Sequence, residues 1–454
     1  MQPPTVLRRL VPRSPEGLLA GSFAALIGAG ALLLWLPISH RGAVGPLDAL
    51  FTSTSAVCVT GLVVVDTGSA FTPAGQVVIL ALIQMGGIGV MTFAALAYQL
   101  MGRRLSLRAN AALADALVQR DVAGELGETF RGILRTVLVI ESIGAATLFV
   151  GLVPRFGVGH AAWSAVFHSV SAFCNAGFAL YPDSLVGLRS DLLAVGAVTA
   201  LIILGGIGHP VLRDVWRALR GGADPRGRSR FATLSLHSRV ALLTSAALIA
   251  GGTAAILVLG LTADESGAGA VGAAAFQSVT ARTAGFNTVD IGLLPVPTLV
   301  LVIGLMFVGG SPGSCAGGIK TTTLVVWGAR FLAAVRGEKQ VRLLGRHIPG
   351  EIVRRSMLLL DLAVLWNVLG LFVLLQTEAG TAGADLVSVL FEQVSAFGTV
   401  GLSMGLTPHL SDTGRAWLIA TMFVGRVGPL TVVLWITTRK DPGVQYPDGR
   451  LMIG

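Results

Sequence analysis

The sequence predicts an all-α polytopic membrane protein in which four similar helix–loop–helix units surround one axis. Of its 454 residues, 53% are hydrophobic and only 13% are charged, whereas a soluble domain carries about 25% charged residues. Apolar stretches of about 20 residues, enough to cross roughly 30 Å of hydrocarbon, recur along the chain. A related short segment also appears four times, at intervals of roughly 110 residues, so each repeat is a whole helical unit.

The four repeated segments are rich in small and hydroxyl side chains, and each runs from a phenylalanine to a glycine. They occupy residues 51–61, 167–177, 276–285 and 391–401. Glycine tolerates backbone conformations that other residues avoid, so these segments can turn carbonyl oxygens towards a shared axis. Rings of carbonyl oxygens replace the water around a dehydrated cation. The sequence therefore predicts one central cation pore of the potassium-channel type.

In each unit, the glycine and the two residues before it are expected to offer carbonyl ligands to the ion. These residues are Val59, Thr60, Gly61, Asn175, Ala176, Gly177, Thr283, Ala284, Gly285, Thr399, Val400 and Gly401. Divalent cations prefer carboxylate oxygens, which these twelve residues lack, so a monovalent cation fits better. The third segment is one residue shorter than the others, which predicts a filter that is less than four-fold symmetric. We expect no organic cofactor in this chain.

We expect eight long apolar segments arranged as four successive pairs. Between the two members of each pair lies one shorter helical segment, which cannot span a membrane. The long segments lie near 17–37, 75–100, 129–153, 190–212, 238–261, 297–335, 356–376 and 414–437. The shorter ones lie near 47–57, 161–172, 269–280 and 383–396, and each leads at once into its glycine. Non-helical backbone at membrane depth is tolerated only when it is buried in protein or faces a water-filled path. We therefore expect all four glycine segments to line the pore.

This layout divides the chain into four pore units joined by basic loops. We expect an N-terminal tail at 1–16, unit 1 at 17–101, unit 2 at 128–219, a loop at 220–237, unit 3 at 238–335, unit 4 at 350–438 and a C-terminal tail at 439–454. Basic loops stay in the cytoplasm, so both termini are expected there, with the short helices entering the bilayer from outside. The same loops explain the net charge of +9, which does not indicate nucleic-acid binding.

The sixth long segment is interrupted by a loop at 309–323 that is too rich in glycine and proline to form an uninterrupted helix. We interpret it as a flexible gate below the filter, and an inert kink is the alternative. The residues assigned to the gate are Gly309, Gly310, Ser311, Pro312, Gly313, Ser314, Gly317, Gly318 and Lys320. A phosphate-binding loop is excluded because that motif needs glycine directly before lysine, and Ile319 separates the two here.

Arg426 lies within the eighth apolar segment, where an ionisable side chain costs about 2.5–3.5 kcal/mol and usually faces the protein interior. We hypothesise that it forms a positive barrier under the filter and anchors the closed loop, with the loop carbonyls as its candidate partners. A scaffold role is the alternative. We also expect Arg282 to point behind the filter and to form an ion pair with Glu392.

Other polar and small residues are assigned structural roles. His168 and Gln277 are expected to hydrogen-bond the backbone of the short helices rather than the ion. The Gly-Gly-Ile-Gly runs at 86–89 and 205–208 predict close-packing notches rather than dinucleotide sites. Three cysteines, Cys58, Cys174 and Cys315, have no metal-binding spacing and are expected to be buried thiols.

Three of the repeated segments resemble the Trk/Ktr/HKT superfamily of potassium transporters. The resemblance rests on Ser-Ala-Val-Cys-Val-Thr-Gly-Leu at 55–62, Ser-Ala-Phe-Cys-Asn-Ala-Gly-Phe at 171–178 and Thr-Ala-Arg-Thr-Ala-Gly-Phe at 280–286, and it covers nearly the whole chain. The chain opens directly on the first pore unit, as in the bacterial membrane subunits of KtrB type.

The resemblance implies potassium uptake across the bacterial inner (plasma) membrane and no enzymatic activity. It further implies a homodimer with one pore per protomer, controlled by a KtrA-like cytosolic nucleotide-binding ring and embedded in the lipid bilayer. Relatives with serine at the first filter glycine conduct more sodium, so Gly61 implies a preference for potassium. Whether sodium (Na+) activates transport of potassium (K+) stays open.

Two other classes of function fit the sequence less well than a pore. A transporter that moves a small organic solute or another cation by alternating access usually has inverted repeats, whereas the charge pattern here gives all four repeats one orientation. An intramembrane enzyme needs a nucleophile with a base, and none of the seven histidines lies in a His-Glu-x-x-His pattern.

Overall fold

The computed structural model describes residues 15–42, 44–89, 126–220, 229–261 and 267–428. Unit 1 begins with a long helix, followed by a short helix, one helical turn and a second long helix. These are α1 (Pro15–Trp35), α2 (Pro46–Val57), α3 (Thr67–Ala70) and α4 (Pro73–Ile88). Both α2 and α4 start on a proline, whose fixed φ suits the first helical turn. The helix α4 is followed by its C-cap residue Gly89, where φ is 91°.

In unit 2 the long and short helices meet directly at a kink, and α5 (Leu126–Phe173) denotes the two together. A kink at Gly157, where φ is 73° and ψ is 166°, separates the two parts. A 3-10 turn (Val186–Leu188) leads to α6 (Leu192–Ile207) and α7 (His209–Arg220). These last two helices meet at Gly208 with a bend of 99°.

Units 3 and 4 repeat the same order of helices. Unit 3 contains α8 (Arg230–Thr233), α9 (Leu236–Leu259), α10 (Gly267–Thr280), a 3-10 turn (Ile291–Leu293), α11 (Val296–Phe307) and α12 (Thr321–Val335). Unit 4 contains α13 (Gly350–Thr377), α14 (Leu386–Gly398), a 3-10 turn (Thr407–His409) and α15 (Asp412–Val427). Between the units, strands β1 (Arg342–Leu343) and β2 (Arg346–His347) form an antiparallel hairpin.

The predicted helical architecture is confirmed, since every expected long segment and every expected short segment contains a helix. By length and composition, three described helices could cross a membrane, and α6 with α7 would make a fourth if counted as one bent span. Shorter apolar helical stretches of 10–17 residues are Ala20–Trp35, Pro73–Ile88, Val296–Phe307, Thr321–Val335 and Leu386–Gly398. The far ends of two expected spans, at 90–100 and 429–437, lie outside the described residues.

A recurring contact fixes each short helix against the long helix that precedes it. Two residues after the phenylalanine of each segment, a polar side chain lies over a glycine of that long helix. The pairs are Ser53 with Gly30, Ser169 with Gly144, Ser278 with Gly252 and Gln393 with Gly370. Each serine hydroxyl also donates to a carbonyl of the long helix, at 2.7, 2.7 and 2.9 Å. Small residues permit this close approach of helices, and the hydrogen bonds stabilise it.

The second long helix of three units packs by glycine against the end of the short helix. A Cβ placed on Gly86 would lie 2.8 Å from the carbonyl carbon of Val57, and one on Gly205 would lie 2.9 Å from that of Phe173. Gly425 meets Phe397 in the same way. The expectation that the glycine runs are close-packing notches is therefore confirmed.

We expect Gly205→Ala to destabilise the fold, because the new methyl group has no room against the Phe173 carbonyl. Overpacking of this kind typically costs about 1–3 kcal/mol. Gly196→Ala is the matched control, since it lies on the same helix with no atom within 4 Å of an added Cβ and gains helix propensity. The midpoint of thermal unfolding of each variant is measured in detergent, with size-exclusion chromatography as the readout. Equal midpoints for the two variants would contradict the packing account.

Candidate functional site

The four glycine segments (59–61, 175–177, 283–285 and 399–401) meet in a closed ring. A Cβ placed on Gly61 would lie 3.0 Å from the Cα of Gly177, and one on Gly177 would lie 2.9 Å from the Cα of Gly285. The corresponding distances are 3.2 Å from Gly285 to Gly401 and 3.0 Å from Gly401 to Gly61. Units that follow one another in the chain are thus neighbours in space, and the last unit closes on the first.

The backbone of the ring has the same conformation in all four units. The residue two positions before each glycine is left-handed, with φ of 57° at Val59, 57° at Asn175, 71° at Thr283 and 49° at Thr399. The four glycines also have positive φ, between 69° and 94°. A left-handed β-branched residue is rare and costs about 1–3 kcal/mol, so the surrounding structure must impose it.

Buried hydroxyl residues at the ends of the short helices impose this backbone. In unit 1, the Ser55 carbonyl accepts from the Thr60 N–H at 2.7 Å, and the Ser55 hydroxyl accepts from the Gly61 N–H at 3.0 Å. Ser395 makes the same two bonds in unit 4, to Val400 at 2.8 Å and Gly401 at 3.1 Å. The short helix and the glycine segment are thereby locked together.

Units 2 and 3 use the hydroxyl in the opposite sense. The carbonyls of Ser171 and Thr280 accept from the residue before the glycine, at 2.7 and 2.9 Å. Their hydroxyls instead donate to the carbonyl of the residue after it, Phe178 at 2.8 Å and Phe286 at 2.5 Å. Unit 3 has one residue fewer than the other units between its hydroxyl residue, Thr280, and its glycine, Gly285. The three ring residues nevertheless keep the common conformation.

These hydroxyl residues were not among the predicted site residues, although the sequence holds a signal for them. Ser55, Ser171, Thr280 and Ser395 each stand four residues after the phenylalanine that opens their segment. A position that is a hydroxyl residue in every repeat, next to a glycine that is also present in every repeat, indicates a shared supporting role.

Behind the ring, two buried side chains hold the segments that follow the glycines. His168 donates from Nδ1 to the Ser164 carbonyl at 2.7 Å and accepts at Nε2 from the Leu180 N–H at 3.3 Å. Glu392 accepts from the Met404 N–H at 3.2 Å. Leu180 and Met404 occupy the same position, three residues after their glycines. The expectation that His168 bonds the short-helix backbone is confirmed.

Two other expectations are wrong. Glu392 does not pair with Arg282, because its oxygens are occupied by Met404 and by the hydroxyls of Ser403 and Thr407, at 2.5 and 2.6 Å. Gln277 was expected to hydrogen-bond the short-helix backbone. Among the described residues, neither the oxygen nor the nitrogen of its side-chain amide has a hydrogen-bond partner.

The loop between α11 and α12 (the α11–α12 loop, 308–320) packs against the ring on the side where the short helices end. A Cβ on Gly309 would lie 3.3 Å from Cγ2 of Thr283, and one on Gly317 would lie 3.0 Å from Cβ of Thr399. The predicted loop 309–323 extends three residues too far at its C-terminal end, because Thr321–Thr323 form the first turn of α12 after Lys320. Gly309, Gly310, Ser311 and Gly317 are buried, whereas Pro312, Gly313, Ser314, Gly318 and Lys320 are partly exposed.

The α11–α12 loop is held by the broken end of α6. The Ser311 N–H donates to the Gly206 carbonyl at 3.0 Å, and the Cys315 N–H donates to the Gly205 carbonyl at 3.2 Å. The last carbonyls of a helix have no partner within it, so the bend at Gly208 makes these two available. The loop thus belongs to unit 3 in sequence and is bound by unit 2 in space.

Two cationic side chains also bind carbonyls of the α11–α12 loop. Arg426 donates from Nη1 to the Cys315 carbonyl and from Nη2 to the Gly86 carbonyl at the end of α4. Lys320 donates from Nζ to the Ala316 carbonyl at 2.5 Å and to the Gly317 carbonyl at 3.4 Å. The expected partner of Arg426, a carbonyl of this loop, is confirmed. All three cysteines are free and buried, also as expected.

Carboxylates stand at the starts of two short helices, where the helix dipole favours negative charge. Asp48, in the first turn of α2, pairs with Arg415 of α15 at 2.9 Å and so joins units 1 and 4. Asp385 caps α14 by accepting from the Ser388 N–H at 2.7 Å. The N–H and hydroxyl of Ser388 hold the pKa of Asp385 below its ordinary value.

The chain is similar to known proteins over almost its entire length. Residues 18–441 match the TrkH family, described as cation transport protein. The chain is 38% identical to Ktr system potassium uptake protein B of Bacillus subtilis (strain 168) over 450 residues, which make up 97% of each chain. It is 36% identical to potassium/sodium uptake protein NtpJ of Enterococcus hirae, over 99% of this chain and 100% of that relative.

Among solved structures, the crystal structure of the potassium transporter TrkH from Vibrio parahaemolyticus resembles this fold. The TM-score is 0.74 at 20% sequence identity, and the match covers 94% of this chain and 85% of that chain. This likeness shows a shared fold.

We expect Glu392→Ala to lower the free energy of unfolding by about 2 kcal/mol or more, because it leaves the buried Thr407 hydroxyl and the partly buried donors of Ser403 and Met404 without their acceptor. Glu338→Ala is the control, since Glu338 is exposed. Both can be compared by thermal unfolding in the same detergent. Indistinguishable midpoints would show that the carboxylate does not hold the segment after Gly401.

Proposed function

Since this chain belongs to the TrkH family of cation transport proteins, we propose that it takes up potassium across the bacterial plasma membrane through the ring of glycine segments. The family transports cations and is not a family of enzymes. The observation that carries the proposal is the closed ring of four glycines with a repeated left-handed backbone. Relatives of nearly the same length are named as potassium uptake proteins.

The proposed filter ligands are the backbone carbonyls of the four glycine segments. Positive φ at the first and third residue of a segment lets successive carbonyls turn towards one axis, where they can replace the hydration shell of K+. The short helices end beside these segments, so their negative dipole ends favour a cation, by about 0.3–1 kcal/mol each. Sodium is the second candidate ion, because the name of the Enterococcus hirae relative includes it.

The proposed gate is the α11–α12 loop together with Arg426. The loop lies against the base of the ring at Thr283 and Thr399, where it obstructs the path that an ion leaving the ring would take. Its glycines leave the backbone free to rearrange. Lys320 and Arg426 hold its carbonyls and place positive charge on the same path, which opposes cation passage while the loop is closed.

The orientation and the partners complete the proposal. Basic loops and both termini face the cytoplasm, so the short helices enter from outside and the gate lies on the inner side of the filter. We propose a homodimer in the lipid bilayer with one pore per protomer, controlled by a KtrA-like cytosolic nucleotide-binding ring. Support comes from relatives named as parts of a Ktr system.

Ion uptake tests this proposal directly. A bacterium that lacks its own potassium uptake systems is grown at low potassium while expressing this chain, with and without a KtrA-type protein. We expect growth and rubidium uptake, both increased by the regulatory protein. Purified chain in proteoliposomes should carry rubidium along its gradient, and failure of folded protein to do so in both assays would refute the proposal.

We expect Gly285→Ala to abolish the preference for rubidium over sodium, with a loss of about tenfold or more. Gly285 has a φ of 80° and lies against Gly177 and Gly401, so a methyl group strains the backbone and displaces the neighbouring segments. Gly405→Ala is the control, because Gly405 has a φ of 91° with no atom within 4 Å of an added Cβ. Competition uptake measures both, and a preserved preference in Gly285→Ala would contradict the filter assignment.

We expect Arg426→Gln to raise rubidium flux several-fold in proteoliposomes, because it removes both a charge barrier and a bond to the Cys315 carbonyl. Arg330→Gln carries the same charge change at an exposed site on α12 and should leave flux unchanged. If Arg426→Gln folds and its flux equals that of the parent, Arg426 is part of the scaffold and does not restrain the gate.

A further inference from the structure

We propose that Arg282, which directly precedes the third glycine segment, couples the filter to the gate by holding the Gly309 carbonyl of the α11–α12 loop. This inference rests on the proposed function, in which that loop is the gate. Arg282 lies three residues before Gly285 and is 8% exposed. It was expected to point behind the filter towards an acidic partner, and the structure places its guanidinium at the loop instead.

The guanidinium joins three elements of unit 3. Its Nη2 donates to the Gly309 carbonyl at 3.3 Å and to the Ser245 hydroxyl at 3.3 Å. Gly309 is the second residue of the α11–α12 loop, and Ser245 lies on α9, the long helix that precedes the segment. The next residue, Thr283, packs on Gly309 with its methyl group. A movement of the loop therefore has to break the contacts that Arg282 and Thr283 make with Gly309.

The charge of Arg282 makes this contact energetically important. Among the described residues, its hydrogen bonds go to neutral oxygens, and its Nε has no partner. A hydrogen bond from a charged group contributes about 1.5–3 kcal/mol. If the loop moves away, the buried cation loses one of its two acceptors, so Arg282 favours the closed position of the loop.

A small cavity beside the guanidinium makes opening possible at moderate cost. Its volume is about 20 Å³, and its lining includes Arg282, Ser245, Asn175 and Gly310. That volume is enough for one water molecule with polar partners. Such a water can replace the Gly309 carbonyl as an acceptor when the loop moves. The cavity also borders Asn175, so the second glycine segment adjoins the same contact.

Comparison of the four units supports a role specific to the gate. The positions equivalent to Arg282 are Cys58, Cys174 and Gly398, each three residues before its glycine. Arginine therefore occurs in the one unit whose second long helix, as described, is interrupted by a long loop. A general requirement of the filter would be expected to place similar residues in all four units.

The test combines transport kinetics with a direct measure of loop mobility. In Arg282→Gln we expect the maximal rate of rubidium uptake to rise about tenfold or more, the change that corresponds to one charge-assisted hydrogen bond. The half-saturating rubidium concentration and the rubidium-to-sodium preference should stay unchanged. Arg282→Lys keeps the charge and a donor, so it should restore part of the restraint.

Loop mobility is read from a spin label at residue 314, introduced as Ser314→Cys in a chain whose three native cysteines are replaced by serine. We expect a narrower spectrum, and hence a more mobile loop, in Arg282→Gln and an intermediate one in Arg282→Lys. If Arg282→Gln fails to fold, the Arg282→Lys spectrum and kinetics decide. An unchanged spectrum overturns the proposal, as does a changed half-saturating concentration or ion preference without a higher maximal rate.

Arg426→Gln, measured in parallel, separates this proposal from the proposed gate. If Arg426→Gln raises flux while Arg282→Gln changes neither flux nor label mobility, the gate stands and the role of Arg282 is refuted. If neither variant raises flux although the label becomes mobile in both, the loop is restrained by these residues but is not a gate. That outcome refutes the coupling together with the proposed gate.

Discussion

The close approach of four glycines is the constraint on which the rest of the structure depends. At each contact, a Cβ would lie within about 3 Å of the next segment, so these positions admit no side chain without displacing a neighbour. This contact requires left-handed backbone at Val59, Asn175, Thr283 and Thr399, which is unfavourable in isolation. The buried hydroxyl residues compensate by bonding the short helices to the segments, and glycine notches in the long helices let the short helices come together.

The α11–α12 loop joins this ring to the broken ends of the long helices. Breaking α6 at Gly208 frees the carbonyls of Gly205 and Gly206, and the loop satisfies them. Carbonyls of the loop also accept hydrogen bonds from Arg282 of unit 3 and Arg426 of unit 4. The loop is thus restrained by three units at once, and a movement in any of them changes how firmly it is held. This arrangement gives a physical basis for linking the broken ends of the long helices to the ring of glycine segments.

Much of the fold and part of the site can be predicted from the sequence. The repeated segments locate the short helices and the glycines, and the cluster of glycine and proline locates the loop. Hydrogen-bond partners are harder to predict. Glu392 is satisfied by Ser403, Met404 and Thr407, whose proximity depends on how the chain turns after Gly401. The direction of Arg282 could not be predicted, because a one-residue deletion changes the register and a long side chain can reach several elements.

The most direct measurement of the central claim is the position of a bound alkali-metal ion. Crystals grown in thallium or rubidium salts give anomalous scattering that locates the ion without prior assumptions about its site. The account predicts a peak on the axis enclosed by residues 59–61, 175–177, 283–285 and 399–401, within coordination distance of their carbonyl oxygens. A fully occupied ion elsewhere in the protein, with no peak inside that ring, would contradict it.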